Sequence, residues 1–285
     1  MITIQELAYS KLNLTLDVLG KREDGYHDLK SVMQTVAYCD DICLEIGTGA
    51  PWSLTCTDPE IPADSRNLAW KAARAFYDAT GIPDDGLTIH ITKRIPSQAG
   101  MGGGSSDAAA VLRGLNRAYD NPLTPMALAD VGAKVGSDVP FCVIGGTVMC
   151  EGRGERLRPI TPMPDCVILV CKPEFSMSTP ALYRQLDESE MMNHPDNDAM
   201  EAALKNGDLN SIGKLLSNVF DPVVSASYPL MDQLRQMYMD AGALGCQMSG
   251  SGSAFFGIMP DLQSAENLAV SLKNLCKDVF ITRPV

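Results

Sequence analysis

Pro96-Ser-Gln-Ala-Gly-Met-Gly-Gly-Gly-Ser-Ser-Asp107 is the stretch around which the 285-residue chain is organised. Before it, Leu87, Ile89 and Ile91 alternate as in a half-buried strand. After it, residues 105–119 read as a helix, with Ala108, Val111, Leu112 and Leu115 on one stripe. Glycines let a backbone approach a ligand closely and adopt positive φ. The first turn of the helix adds unpaired N–H groups and the positive end of its dipole. Together these make a site suited to phosphates, and Ser105 and Ser106 add hydroxyls. A flexible connector has no need of four glycines in five positions between two well-patterned elements. No Gly-Lys-Ser/Thr closes the loop, so it is not a Walker A loop. Nor is it Gly-x-Gly-x-x-Gly, because the sixth position counted from Gly100 is Ser105.

Outward from the loop the pattern is α+β. Residues 12–18 alternate strictly, which predicts a half-buried strand. Leu12, Leu14, Leu16 and Val18 would face the core, with Lys11, Asn13, Thr15 and Asp17 on the other face. Ile42, Leu44 and Ile46 repeat the alternation. Residues 67–80 read as a helix stopped by Gly81. Thr124-Pro125 opens another, with Gly136 as its stop. Pro159, Pro162 and Pro164 mark a boundary, giving domains over 1–160 and 161–285. Beyond it come a strand at 166–172, helices over about 179–241, strands at 244–249 and 253–259, a helix at 261–275 and a strand at 278–283. That is the β-α-β-β-α-β order of ferredoxin-like domains, with extra helices.

The net charge is −12, which disfavours a phosphate-backbone binder, so nucleic acid is not expected as a partner. No apolar run approaches the ~18 residues of a membrane span, and no signal peptide is read, so a cytoplasmic protein with no membrane partner is expected. Nine scattered cysteines without zinc or redox spacing then read as reduced, structural thiols. A monomer or weak homodimer acting on small molecules is the expected form.

Two charged residues sit in apolar surroundings. Asp138 lies between Val135-Gly and Val139-Pro-Phe141, and Val139 before proline should be extended. An acid there needs a partner or a role: a helix-capping or turn aspartate, or a reacting acid. Lys11 opens an alternating strand, either as an exposed edge charge or as a site group.

The loop with its following Ala-Ala resembles the second motif of the GHMP kinases. Lys11-Leu-Asn-Leu-Thr-Leu16 resembles the first motif, and Met248-Ser-Gly-Ser-Gly-Ser253 the third, in chain order and across nearly the whole length. Within that superfamily, Asp24-Gly-Tyr-His-Asp-Leu29 and Gly136-Ser-Asp-Val-Pro-Phe141 resemble the 4-diphosphocytidyl-2-C-methyl-D-erythritol kinase branch. The resemblance implies a ribosomal-protein-S5-domain-2-like N-terminal domain followed by a ferredoxin-like C-terminal domain, the GHMP kinase fold. It implies ATP-dependent phosphorylation of the 2-hydroxyl of a cytidine-diphosphate-linked methylerythritol. Competing readings are a mevalonate- or homoserine-type kinase, which has no use for a cytidine clamp, and a sensor of the same fold that binds nucleotide without catalysis.

The same resemblance distributes roles. Lys11 and Asp138 match the catalytic pair. Pro96, Ser97, Gln98, Ala99, Gly100, Met101, Gly102, Gly103, Gly104, Ser105 and Ser106 match the ATP loop, and Asn67 and Lys93 match adenine contacts. Tyr26 and Tyr183 match the two rings that sandwich the cytosine, and His27 the residue that hydrogen-bonds it. Asn13, Thr179 and Pro180 match further substrate contacts, while the Arg153 side chain has no assigned role. Mg²⁺ is expected on the phosphates. Many GHMP kinases supply a glutamate to it; none is assigned here, and Ser105 is the candidate.

Overall fold

The computed structural model describes residues 1–189 and 193–285. In chain order its elements are β1 (Ile2–Asn13), β2 (Thr15–Lys21), β3 (His27–Ile46), β4 (Ser53–Cys56), α1 (Leu68–Thr80), β5 (Leu87–Thr92), α2 (Gly103–Ala118), α3 (Pro125–Ala133), α4 (Val139–Ile144), β6 (Thr147–Gly152) and β7 (Arg156–Pro159). They continue as β8 (Val167–Lys172), α5 (Thr179–Asp187), α6 (Asn197–Asn206), α7 (Leu209–Leu215), β9 (Ser217–Asn218), α8 (Asp221–Ser227), α9 (Leu230–Asp240), β10 (Gly245–Met248), β11 (Phe255–Met259), α10 (Leu262–Leu272) and β12 (Asp278–Thr282). Of the helical stretch expected over 179–241, residues 190–192 lie outside the described residues.

Two compact units form, and they do not follow chain order. One holds Met1–Ser10, Tyr38–Ile95 and Gly102–Gly145; the other holds Lys11–Ala37, Pro96–Met101 and Gly146–Val285. This differs from a division at residue 160, because strands gather by pairing rather than by position in the chain. β2 pairs with the first half of β3, and that half of β3 also pairs with β6.

In the first unit the later half of β3 runs antiparallel to β5, with Ile42 opposite Ile91 and Leu44 opposite Ile89. All four side chains are buried, as their alternation predicts. Helix α1 begins at Asn67, whose Oδ1 accepts from Ala69 N at 2.9 Å, and ends at Gly81 with φ 67°. A Cβ on Gly114 of α2 would lie 2.7 Å from Leu44 Cδ1, so glycine there lets the helix approach the strand. Thr124 caps α3, which ends at Ala133 and does not run on to Gly136. Val139 is not extended: it opens α4, and Pro140 is tolerated in that first turn because its missing N–H would have no helical acceptor there.

The second unit contains the four-stranded antiparallel sheet β10-β11-β8-β12. That spatial order is the ferredoxin-like one. Its core includes Tyr238, whose hydroxyl donates to Leu169 O at 3.2 Å and whose ring lies 5.5 Å from Phe255. The strand expected over 12–18 is broken at Leu14, between β1 and β2, and it is not half-buried. Lys11, Asn13, Thr15 and Asp17 are as buried as the leucines beside them. The polar face is covered and hydrogen-bonded: Thr15 Oγ1 donates to Asn197 Oδ1 at 2.6 Å, and Asp17 Oδ1 lies 2.7 Å from His194 Nδ1.

All nine cysteines are free thiols, five buried and four half-buried. Among the described residues no helix is long and apolar enough to cross a membrane. A Cβ on Gly257 of β11 would lie 2.4 Å from Tyr238 Cδ1. Gly257→Ala is therefore expected to destabilise the protein by about 1–3 kcal/mol through overpacking. The shift in urea midpoint measures this, and an unchanged midpoint would remove the steric argument.

Candidate functional site

Lys11 stands at the end of β1 in a corner built from three separated stretches of chain. Its backbone N–H donates to Met101 O at 3.0 Å, and its Nζ donates to Asn13 Oδ1 at 2.6 Å. Asn13 Nδ2 donates to Ser31 Oγ at 2.8 Å. Ser249 Oγ donates to Gly100 O at 3.0 Å and lies 3.4 Å from the Asn13 N–H. Ala254 N donates to Ala99 O at 3.1 Å. The first half of the glycine loop is thereby seated on the Ser249–Gly252 turn, beside Lys11 and Asn13. Positive φ at Gly100 (72°) and Gly250 (57°) makes that seat possible. A Cβ on Gly250 would stand 3.1 Å from Lys11 Nζ. Asn218 Nδ2 holds the turn in place through Met248 O (2.9 Å) and Gly250 O (2.8 Å).

The loop turns into α2 at Gly102, with φ 71°, so the helix starts at Gly103, two residues earlier than its apolar stripe predicts. Ser106 N donates to Gly102 O at 2.8 Å, closing the first turn. The N–H groups before it are the unpaired donors of that turn. Ser106 is buried, its Oγ 3.5 Å from Cys142 Sγ. Ser105 is half-buried, and its hydroxyl makes no hydrogen bond among the described residues. Asp138 occupies the N-cap position of α4 at φ −86°, ψ −11°, yet its carboxylate makes no capping hydrogen bond. The capping role that its sequence position leaves open is not taken up.

Asn67 and Lys93, expected at adenine, both make contacts within the protein. Both polar ends of the Asn67 side chain are engaged within the protein, Oδ1 as the α1 cap and Nδ2 as donor to Pro62 O at 2.8 Å. Lys93 Nζ is buried between Asp40 and Asp107, 2.9 Å from Asp107 Oδ2. Asp40 Oδ1 also accepts from Ile95 N at 2.8 Å. Burial pushes the Asp107 carboxyl up to about 7, against the pull of Lys93, and its Oδ1 is buried without a hydrogen-bond partner.

Tyr26 lies in the β2–β3 turn, His27 opens β3 and Tyr183 lies in α5. His27, not Tyr26, stacks on Tyr183, with centroids 4.5 Å apart and planes at 24°. Phe220 meets Tyr183 edge-on at 5.0 Å. Tyr26 is half-exposed in the β2–β3 turn, where Asp24 Oδ1 accepts from its N–H at 3.1 Å. The Arg153 guanidinium covers one face of its ring at 3.7 Å. Thr179 Oγ1 lies 2.9 Å from Ser251 Oγ, and Pro180 sits in the first turn of α5. Sequence reasoning left out Ser31, Ser249, Asn218 and Asp187. Ser249 had a signal, its place in the third motif; the other three had none in their own neighbourhood.

Family models match the chain twice, as "GHMP kinases N terminal domain" over residues 67–146 and "GHMP kinases C terminal" over residues 200–278. It is 42% identical over 275 residues to a 4-diphosphocytidyl-2-C-methyl-D-erythritol kinase of Caldicellulosiruptor saccharolyticus, covering 96% of this chain and 94% of that protein. A Clostridium botulinum protein of the same name is 39% identical over 279 residues, covering 98% and 99%. Among solved structures, a 4-(cytidine 5'-diphospho)-2C-methyl-D-erythritol kinase superposes with a TM-score of 0.82 at 31% identity, over 99% of each chain. Homoserine kinase from Cytophaga hutchinsonii gives 0.78 at 19% identity, over 98% of this chain and 94% of that one, a likeness of fold alone.

The buried Lys93–Asp107 pair gives a pH signature. Asp107 has a folded-state value near 7, above its ordinary 3.8. Its contribution to stability is fully present below about pH 4 and is lost as pH rises through 7, at up to about 1.4 kcal/mol per pH unit. Asp107→Asn removes that loss. The stability of wild type relative to Asp107→Asn is expected to fall between pH 4 and 7 in denaturant titrations. A constant difference across that range would show that Asp107 titrates normally.

Proposed function

The chain belongs to the 4-diphosphocytidyl-2-C-methyl-D-erythritol kinases of the GHMP kinase family, and from that membership we propose how its residues share the work. The reaction is ATP-dependent transfer of a phosphoryl group to the 2-hydroxyl of 4-diphosphocytidyl-2-C-methyl-D-erythritol, giving the 2-phosphate, a step of the non-mevalonate isoprenoid pathway. One observation carries the substrate reading beyond the family fold. The Asp24-Gly-Tyr-His27 turn stacks His27 on Tyr183, a flat aromatic surface with a hydrogen-bonding edge, suited to a pyrimidine. Mevalonate and homoserine carry no ring that would use it.

Phosphoryl transfer asks a protein mainly for positioning and charge stabilisation. The glycine loop from Pro96 through Ser106 holds the phosphates of ATP with backbone N–H groups at the start of α2. Lys11, fixed through Asn13 and the backbone of Met101, neutralises charge on the transferring group. Asp138, at the start of α4, accepts the proton of the acceptor hydroxyl. Asn13 stands beside Lys11 and positions that hydroxyl. Thr179 and Pro180 line the acceptor side, while Asn67 and Lys93 belong to the scaffold of the loop. Mg²⁺ takes oxygen donors and commonly keeps phosphates and water around it. The unengaged Ser105 hydroxyl is a donor of that kind, and bound there the ion would neutralise phosphate charge. The protein works in the cytoplasm as a monomer or weak dimer.

With ATP, turnover is expected for the cytidine-linked acceptor and not for mevalonate, homoserine or galactose. Turnover of one of those three and not of the first would overturn the substrate assignment. Asp138→Asn is expected to bind the acceptor normally and to lose about 100-fold or more in kcat. A rate near wild type would remove Asp138 from proton transfer.

A further inference from the structure

We propose that Asp187 selects which pyrimidine the site accepts by fixing the proton of His27; this rests on reading the protein as a kinase for a cytidine-bearing acceptor. Helix α5 places Tyr183 and Asp187 one turn apart on the same face. Tyr183 holds the face of the His27 ring, and Asp187 Oδ1 holds its edge, 2.8 Å from Nε2. Phe220 backs Tyr183, and Lys21 Nζ lies 3.2 Å from Asp187 Oδ2. The His27 side chain is only 9% exposed, so its ring is held in one plane.

Chemistry supplies the rest. The hydrogen bond from His27, reinforced by Lys21, keeps the Asp187 carboxyl below the usual carboxylate range. An ionised carboxylate only accepts hydrogen bonds, so Nε2 must carry the proton. In the neutral imidazole, Nδ1 then carries the lone pair and is an acceptor. Nδ1 makes no hydrogen bond to any described residue. Cytosine offers an exocyclic amine, a donor; uracil offers a carbonyl oxygen at the same position. An acceptor at Nδ1 pairs with the amine and meets the carbonyl lone pair to lone pair. Asp187 touches no base itself. It is a positioning residue that acts through the tautomer of His27.

The test compares kcat/KM for cytidine- and uridine-linked acceptors. Wild type is expected to favour cytidine. In Asp187→Asn, with the amide oxygen turned to Lys21, the amide NH₂ meets Nε2 and moves the proton to Nδ1. The cytidine-to-uridine ratio is expected to fall on the order of tenfold, the worth of one hydrogen bond, mainly through KM. Asp187→Glu, which keeps a carboxylate, is expected to restore most of the ratio. A folded Asp187→Asn protein whose ratio stays within about twofold of wild type overturns the proposal. So does a wild type with no preference between the two bases.

Two measurements stand apart from the variant's folding and from turnover. The 15N shifts of His27, assigned against His90 and His194 substitutions, are expected to report Nδ1 unprotonated. A protonated Nδ1 in the neutral ring sinks the idea. Calorimetric binding of CDP and UDP to wild type reads the same preference without catalysis. If CDP is favoured and the cytidine-linked acceptor is not phosphorylated, the kinase reading fails and the base-reading inference stands.

Discussion

The glycine loop rests on the Ser249–Gly252 turn only because no side chain stands at Gly100 or Gly250. A Cβ on Gly100 would lie 2.1 Å from Ser249 O, well inside contact distance, and one on Gly250 would press on Gly100 O at 2.9 Å. Both glycines are at positive φ, so a side chain there meets backbone strain as well as a clash. With the glycines present, three backbone-anchored hydrogen bonds fix the loop: Ser249 Oγ to Gly100 O, Ala254 N to Ala99 O and Lys11 N to Met101 O. Each bond is worth about 1 kcal/mol, but together they determine where the chain enters the Gly102 turn. The second and third motifs are thus complementary halves of one contact, and Lys11 and Asn13 of the first motif flank it.

Charge is managed locally. An overall charge of −12 sets the far field, while a bound phosphate is held by donors a few ångströms away. The two lysines near the loop illustrate two uses of one residue type. Lys93 has its ammonium between two buried carboxylates, an arrangement that neutralises the cation and ties Asp40 to Asp107 at the start of α2. Lys11 Nζ donates to the amide oxygen of Asn13, which orients the ammonium. The exposed charges are spread as pairs such as Arg158–Glu201, which bear on solubility more than on the site.

Local signals made much of this legible in the sequence. The strand–glycine–helix order, the Gly81 stop and the Thr124 cap depend on residues within a few positions of one another, and the β-α-β-β-α-β order along the chain is a series of such local patterns. What was illegible depends on partners far along the chain. Alternation in residues 12–18 says that one face is polar, but not that Asn197 and His194 cover it. Pre-proline statistics argue against helix at Val139, yet Pro140 falls in a first turn, where its lost N–H costs nothing. Nothing near Lys93 in the sequence shows that Asp40, 53 positions earlier in the chain, meets it. Asp187 had no motif of its own; its meaning comes from His27, 160 positions away.

Two tyrosines and a histidine in the right order suggest a base held between Tyr26 and Tyr183. The stacked pair, His27 and Tyr183, is a different pair of rings. A base inserted between two rings needs contact at about 3.5–4 Å on each side, so the outer rings must stand at least about 7 Å apart. His27 and Tyr183 are 4.5 Å apart, already in contact, and leave no slot between them. The ring of Tyr26 is half-exposed and carries the Arg153 guanidinium on one face. Every pyrimidine has a similar π-face and only the edges differ, so a stacking surface alone does not tell one base from another.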